Sequence, residues 1–322
     1  MHAIVLAGGY ATRLWPITKN RPKMLLPIGE RTVIGTILDA LEREPRIDDV
    51  YVSTNDAFAG EFETYLDRSD YEKPTLSIEG TTEESEKFGV IGALEELIAR
   101  EEIAEDTIVI AGDNLISFDV SDFLDTFERN DAPTVAAYDV GSYKRAAEYG
   151  IVEVNDDAEI VDFQEKPENP TSTLASIACY GFPAATLSKL SEYLAGDNNP
   201  DEPGWFIQWL QDRQTVNAYT FEEAWFDIGT PESYLDAIAW YLDGDSYAHP
   251  SATLENTDLG ANTQVLADVT LTDATIEHSV IFPGATINGG EIRRSLIDQD
   301  THIESLDLSG AVIGAHTTLN ST

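Results

Sequence analysis

Two glycines and two cations stand close together near the start of the chain. The run Leu6-Ala7-Gly8-Gly9-Tyr10-Ala11-Thr12-Arg13-Leu14-Trp15-Pro16 is followed by Pro22-Lys23-Met24-Leu25-Leu26-Pro27. The apolar stretch before Gly8 reads as a buried strand entering a loop, and Gly8 and Gly9 let backbone N–H groups approach a ligand closely. Amides that converge on one space form an anion nest, to which Arg13 and Lys23 add two positive charges. Such a loop suits a triphosphate. It is not a P-loop, because no Gly-Lys-Ser/Thr follows, and a dinucleotide fingerprint would need a third glycine and leave Arg13 unexplained.

The elements that must carry this loop alternate in kind. His2–Ala7, Val50–Thr54, Ile108–Ala111 and Thr134–Tyr138 read as strands, and Val33–Arg43, Ala57–Leu66, Val90–Arg100 and Asp122–Arg129 as helices. That alternation predicts an α/β fold: a Rossmann-like, mostly parallel sheet with helices on both faces. Ligands of such sheets sit beyond the carboxyl ends of the strands. The loops after His2–Ala7 and after Ile108–Ala111, the latter opening with Gly112-Asp113-Asn114, are therefore the places where chemistry is expected.

The period changes near Asp245. Residues 249–322 hold one of the 30 aromatic residues, Phe282. Val265, Ile281, Ile297 and Ile313 are 16 apart, as are Leu271, Ile287, Ile303 and Leu319, and Ile276, Ile292 and Leu308. A helix would repeat at three and four. Three short faces per turn, each giving one inward aliphatic, predict a triangular parallel β-helix. Two domains are expected, 1–245 and 246–322.

With 59 acidic and 19 basic residues the formal net charge is -40. Nucleic-acid phosphates and anionic membrane surfaces would be repelled, no apolar run is long enough to cross a bilayer, and one cysteine, Cys179, excludes a disulfide framework. The acids are scattered through the whole chain and lysine occurs only seven times. Such a surface repels itself at low ionic strength, and at about 1 M salt the Debye length falls to about 3 Å. A cytoplasmic protein of a salt-rich cell, as in halophilic archaea, is the expectation.

The first segment resembles the signature of sugar-1-phosphate nucleotidylyltransferases, Leu-Ala-Gly-Gly-x-Gly-Thr-Arg-Leu-x-Pro and then Pro-Lys-x-Leu-Leu-Pro, with Ala11 where many members have glycine. Further segments follow in the family's order: Phe88-Gly89-Val90-Ile91-Gly92, Gly112-Asp113-Asn114, Tyr149-Gly150-Ile151-Val152, Phe163-Gln164-Glu165-Lys166-Pro167 and Trp225-Phe226-Asp227-Ile228-Gly229-Thr230-Pro231. The resemblance covers about residues 1–240. It implies transfer of a nucleotidyl group from a nucleoside triphosphate to a sugar 1-phosphate, with release of pyrophosphate. It assigns Leu6, Ala7, Gly8, Gly9, Thr12, Arg13, Lys23 and Gly89 to the nucleotide, Asp113 and Asp227 to Mg²⁺, and Gly150, Glu165 and Lys166 to the sugar phosphate. Arg13, Lys23 and Asp113 are the expected catalytic groups. The same resemblance implies that the β-helix is left-handed.

The attacking phosphate oxygen is already ionised, so no strong base is needed. Positioning and neutralisation of two anions must carry the rate, which is why cations and carboxylates recur here instead of a nucleophile triad. Glu84 lies five residues before Gly89, where thymidylyl members carry glutamine. An ionised carboxylate only accepts, which suits the N–H groups of guanine and leans toward GTP over dTTP or UTP, although Glu84 is also read as one more surface acid. Glucose 1-phosphate is the default acceptor and mannose 1-phosphate the next. Gly204-Trp205-Phe206-Ile207-Gln208 stands where many relatives carry an acidic motif beside the sugar. Four of the five histidines, His249, His278, His302 and His316, fall in the tail at positions expected to be exposed. They keep open a bifunctional enzyme with acyltransferase activity, beside a non-catalytic regulatory homologue. The tail is otherwise expected to assemble a homo-oligomer.

Overall fold

Ala3, Ile4 and Val5 are fully buried in the five-residue strand His2–Leu6, as a strand covered on both faces requires. In the computed structural model, which describes residues 1–9, 11–80 and 89–321, this strand pairs in parallel with Asp49–Asn55 on one side and Thr107–Ala111 on the other. Contacts divide the chain into two units, one of Met1–Gly9 and Thr36–Trp225 and one of Tyr10–Gly35 and Phe226–Thr322. The composition thus changes near Asp245, while the contacts regroup after Trp225 and take the cation-bearing segment with the tail.

The first unit carries a nine-stranded sheet. Its order runs Ile160–Glu165, Gly150–Val154, Leu174–Phe182, Thr107–Ala111, His2–Leu6, Asp49–Asn55, Pro74–Glu79. Thr134–Asp139 pairs with Leu174–Phe182, and Asn217–Phe221 with Thr134–Asp139. The expectation of a mostly parallel sheet holds for only one half. Leu174–Phe182 runs antiparallel to Thr107–Ala111, Thr134–Asp139 and Gly150–Val154, and Ile160–Glu165 antiparallel to Gly150–Val154. For the last of these pairs the reason is loop length: a parallel return needs a crossover of a dozen or more residues, and only residues 155–159 join Gly150–Val154 to Ile160–Glu165.

Helices cover both faces. Tyr180 packs in a core with Leu94 and Leu97 of Val90–Arg100, Leu190 of Ala184–Ala195 and Phe206 of Pro203–Gln211. The next residue, Gly181, meets Phe127 of Val120–Asn130, where a Cβ would come within 2.7 Å of the ring. Neighbouring residues of a strand point to opposite faces, so these helices lie on opposite sides of the sheet.

In the second unit the helix Pro231–Leu242 starts from a capping box between Thr230 and Ser233, with Pro231 at its first position. The strands that follow pair in parallel with the expected step: Val265 opposite Ile281, then Ile297, then Ile313, and Leu271 opposite Ile287, Ile303 and Leu319. The first coil is one residue longer, with Leu254 opposite Leu271. Each coil turns at three residues with positive φ, in the columns Asn262, His278, Arg294, Gly310; Asp268, Gly284, Asp300, His316; and Asn256, Asp273, Gly289, Ser305. Most are Gly, Asn, Asp or His, which pay least for that conformation. Of the four tail histidines only His316 is exposed. Burial, then the Arg294 charge, hold the His278 imidazole below its usual pKa. Among the described residues no helix is long and apolar enough to cross a membrane.

Candidate active site

In the first unit the carboxyl ends of three parallel strands are laced together. The Ala7 amide donates to the Ser53 carbonyl at 2.7 Å, the Asn55 side-chain amide to the Gly8 carbonyl at 2.9 Å, and the Gly112 amide to the Leu6 carbonyl at 2.8 Å. Leu6, Ala7, Gly8 and Gly9 are therefore held by the strand on one side and by the turn that presents Asp113 on the other. That turn is pinned further on, where Asn114 donates to the Ile177 carbonyl at 2.6 Å and accepts from the Trp225 indole at 3.1 Å. Asp113 itself is half-buried.

Glu79, which ends the strand Pro74–Glu79, is a group that sequence reasoning missed. It is buried, accepts from the Ser53 hydroxyl at 3.0 Å, and lies so close to Gly8 that a Cβ there would meet its Oε1 at 3.5 Å. Its only signal is its place at the end of a parallel strand. Glu84 lies outside the described residues. Gly89 caps Val90–Arg100 at φ 75°, and a Cβ on it would meet the Pro200 carbonyl oxygen at 2.4 Å, so glycine is required twice over.

Glu165 is gathered with both residues assigned beside it. Its side chain is 7% exposed and lies between two glycines: a Cβ on Gly150 would sit 2.8 Å from Oε2, and one on Gly204 only 1.6 Å away. Burial pushes its carboxyl up to about 7, with the Lys166 charge opposing and Glu202 adding to the rise. Lys166 Nζ lies 4.0 Å from Glu165 Oε1 and is ion-paired to Glu202. Its backbone has φ 44°, a cost of about 1–2 kcal/mol for a residue with a Cβ. Its amide bonds the Tyr149 carbonyl at 3.1 Å, which ties that turn to the strand Gly150–Val154. The segment that opens with Gly204 stands where the resemblance puts the sugar, but Gly204 itself has no role assigned there, and Glu202 reads as one acid among 59.

In the second unit Ala11 adopts φ 49°, which explains why glycine suits this position, and its carbonyl accepts from the Thr18 hydroxyl at 2.8 Å and the Leu14 amide at 3.1 Å. Thr12 and Arg13 follow in a single turn of 3₁₀ helix, both exposed. Arg13 is brought to Asp227 around Gly229: a Cβ on Gly229 would lie 3.3 Å from Arg13 Nη2 and 3.7 Å from Asp227 Oδ1. Lys23 starts a second 3₁₀ turn, Lys23–Leu25, and is buried to 9% exposure. The first unit thus holds Leu6, Ala7, Gly8, Gly9, Gly89, Asp113, Gly150, Glu165 and Lys166, and the second holds Thr12, Arg13, Lys23 and Asp227.

Residues 2–244 match the family model described as nucleotidyl transferase. The chain is 26% identical to the low-salt glycan biosynthesis nucleotidyltransferase Agl11 of Haloferax volcanii, with 95% of each chain covered. It is 27% identical to the bifunctional protein GlmU of Methanocaldococcus jannaschii over 76% of this chain, and spans 55% of that protein's length. A crystal structure from Bacillus anthracis, described as a glucose-1-phosphate thymidylyltransferase in complex with sucrose, is similar at a TM-score of 0.65 and 25% identity, over 75% of this chain and 95% of that one.

Proposed function

The chain belongs to the nucleotidyl transferase family, and from that premise we propose that it joins a nucleoside triphosphate to a sugar 1-phosphate, giving a nucleotide sugar and pyrophosphate. One observation carries the acceptor side. A buried carboxylate, Glu165, sits beside the Lys166 ammonium in a space that two glycines keep open. An acceptor next to a cation suits a molecule that has both hydroxyls and a phosphate. Lys166 holds the phosphate, exchanging Glu202 for it, and Glu165 accepts from the hydroxyls.

On the donor side the loop amides around Gly8 and Gly9 cradle the triphosphate. Arg13 stabilises it and the leaving pyrophosphate, and Lys23 contacts phosphate near the reacting centre. A phosphate oxygen of the sugar attacks the α-phosphorus in line as the bond to pyrophosphate breaks. Asp113 and Asp227 carry hard oxygen donors, the ligand type that Mg²⁺ takes, and phosphate oxygens and water would complete its shell. Held by Asp113 or by Asp227, the ion would neutralise phosphate charge.

For the base we propose guanine, read by an ionised acceptor, with Glu79 beside Gly8 joining Glu84 as the candidate. Glucose or mannose 1-phosphate is the proposed acceptor. The tail is proposed to be a parallel β-helix, supported by the 16-residue register and three positive-φ corners per coil, left-handed as the family resemblance implies, and to assemble a homo-oligomer in a salt-rich cytoplasm. Pyrophosphate release measured with four triphosphates against glucose, mannose and N-acetylglucosamine 1-phosphates in molar KCl tests the reading. Turnover with one pair supports it, and none with any pair removes it. Acetyl-CoA consumption in the same preparation would instead reveal an acyltransferase.

A further inference from the structure

Within the second unit, the columns Gln264, Val280, Leu296, Val312 and Leu266, Phe282, Asp298, Gly314 flank the inward column Val265, Ile281, Ile297, Ile313. Alternation along a strand turns both flanking columns outward. Outward positions on a free coil would be wet and polar. Here Gln264, Val280, Leu296 and Phe282 have no exposure and Asp298 has 3%.

Four successive coils reach the segment 16–29, which contains Lys23. Gln264 uses both ends of its amide: Oε1 accepts from the Gly29 amide at 2.7 Å and Nε2 donates to the Pro27 carbonyl at 3.3 Å. Phe282 lies under the Arg21 guanidinium, 4.7 Å from ring centre to Cζ. Arg21 donates to Asp298 at 2.6 Å and to Gln299 at 3.0 Å. A Cβ on Gly314 would sit 3.0 Å from that of Pro16. Lys23 falls between the Arg21 and Gly29 anchors.

We propose that the coils brace the nucleotide-binding segment, and that Gln264 and Asp298 are positioning residues for Lys23. The argument lies in where the columns break their own pattern. An apolar surface would hold the segment but let it slide, whereas a buried amide and a buried carboxylate are satisfied in only one register. The polar residues stand at the two positions that grip on either side of Lys23, and the column members between them are apolar. The inference rests on the proposed contact of Lys23 with phosphate.

The test uses the full chain with Asp298→Ala, Gln264→Ala and the isosteric Asp298→Asn. Triphosphate KM, sugar-phosphate KM and kcat are measured per folded molecule, and amide exchange is followed over residues 16–29. A misplacement of about 1 Å can cost about 10²-fold in rate. Both alanine variants should lose at least about tenfold in kcat/KM for the triphosphate, with the sugar-phosphate KM unchanged. Exchange should accelerate within 16–29, and Asp298→Asn, which keeps the hydrogen bond, should recover most of the loss. Should the alanine variants fail to fold, Gln264→Glu, which keeps the side chain's size and its acceptor but cannot donate to the Pro27 carbonyl, decides by exchange in 16–29, which should accelerate. Wild-type exchange and wild-type triphosphate kinetics in the folded alanine variants, or in Gln264→Glu, overturn the brace. Full activity in Lys23→Ala would instead overturn the role of Lys23 and leave the exchange result to judge the brace alone.

Discussion

Gly204→Ala separates the acceptor site from the stability of the fold. Gly204 is the second residue of the helix Pro203–Gln211, where alanine is the better helix former by about 1 kcal/mol, so the helix itself does not suffer. The new methyl would lie 1.6 Å from Glu165 Oε2, 2.6 Å from Cδ and 3.1 Å from Phe163 Cε1. Ordinary contact begins near 3.4 Å, so the carboxylate must retreat by roughly 1.8 Å. Displacement of that size costs about 10²-fold, or about 2.7 kcal/mol, when the group positions a substrate. The loss should fall on kcat/KM for the sugar phosphate and leave the triphosphate KM in place. It should carry a pH signature too. Glu165 stands at about 7 because it is buried. Once pushed toward water, its acid-limb inflection should move down toward the ordinary carboxylate range. The sugar phosphate's own ionisation is common to both proteins and cancels in the comparison. Steady-state kinetics against the sugar phosphate from pH 5.5 to 8.5 measure both effects. A variant with wild-type kcat/KM and an unmoved inflection would refute the placement of Glu165 on the acceptor.

Other perturbations follow from the same geometry. The folded carboxyl of Glu165, at about 7, binds its proton more tightly than the unfolded one near 4.5. The native state therefore holds the extra proton between these values, and stability falls as pH rises from about 4.5 to 7, by about 3 kcal/mol. Denaturant unfolding in molar KCl should show that fall in the wild type and its absence in Glu165→Gln. Arg13→Ala should lower kcat by ~10²–10³, the scale of one lost transition-state donor, and Asp113→Asn should lower it with a raised Mg²⁺ requirement; full activity in either defeats its assigned role. Gly229→Ala asks Arg13 to give way by only a few tenths of an ångström from 3.3 Å, so its kinetic loss should be several-fold and smaller than that of Arg13→Ala.

Much of this was legible in the chain because the relevant signals are local or periodic. The helix Val90–Arg100 has the bounds its apolar face predicts. The tail's 16-residue spacing is the register of its strands, since each coil must return the same side-chain column to the interior. The antiparallel half of the sheet was not legible, because the direction of Leu174–Phe182 depends on which strands it finds, and they lie far away in sequence. Glu202, and the part Gly204 plays within a segment that the resemblance put beside the sugar, escaped for the same reason. Their meaning comes from Glu165 and Lys166, more than 30 residues earlier, and nothing in a Glu-Pro-Gly helix start announces that a carboxylate will lie against it. The union of residues 16–29 with the coils was equally hidden, though Gln264 and Asp298 do interrupt columns that are otherwise mostly aliphatic or aromatic.

The central claim is a chemical one and can be watched directly. Phosphorus NMR of the protein with a triphosphate, a sugar 1-phosphate and Mg²⁺ in molar KCl should show a new diphosphate-diester signal and inorganic pyrophosphate growing in equal amounts, and neither should form when the sugar phosphate is left out or when Lys166→Ala replaces the wild type. Nucleoside diphosphate and free phosphate appearing instead, or an unchanged spectrum with every substrate pair, would contradict the account.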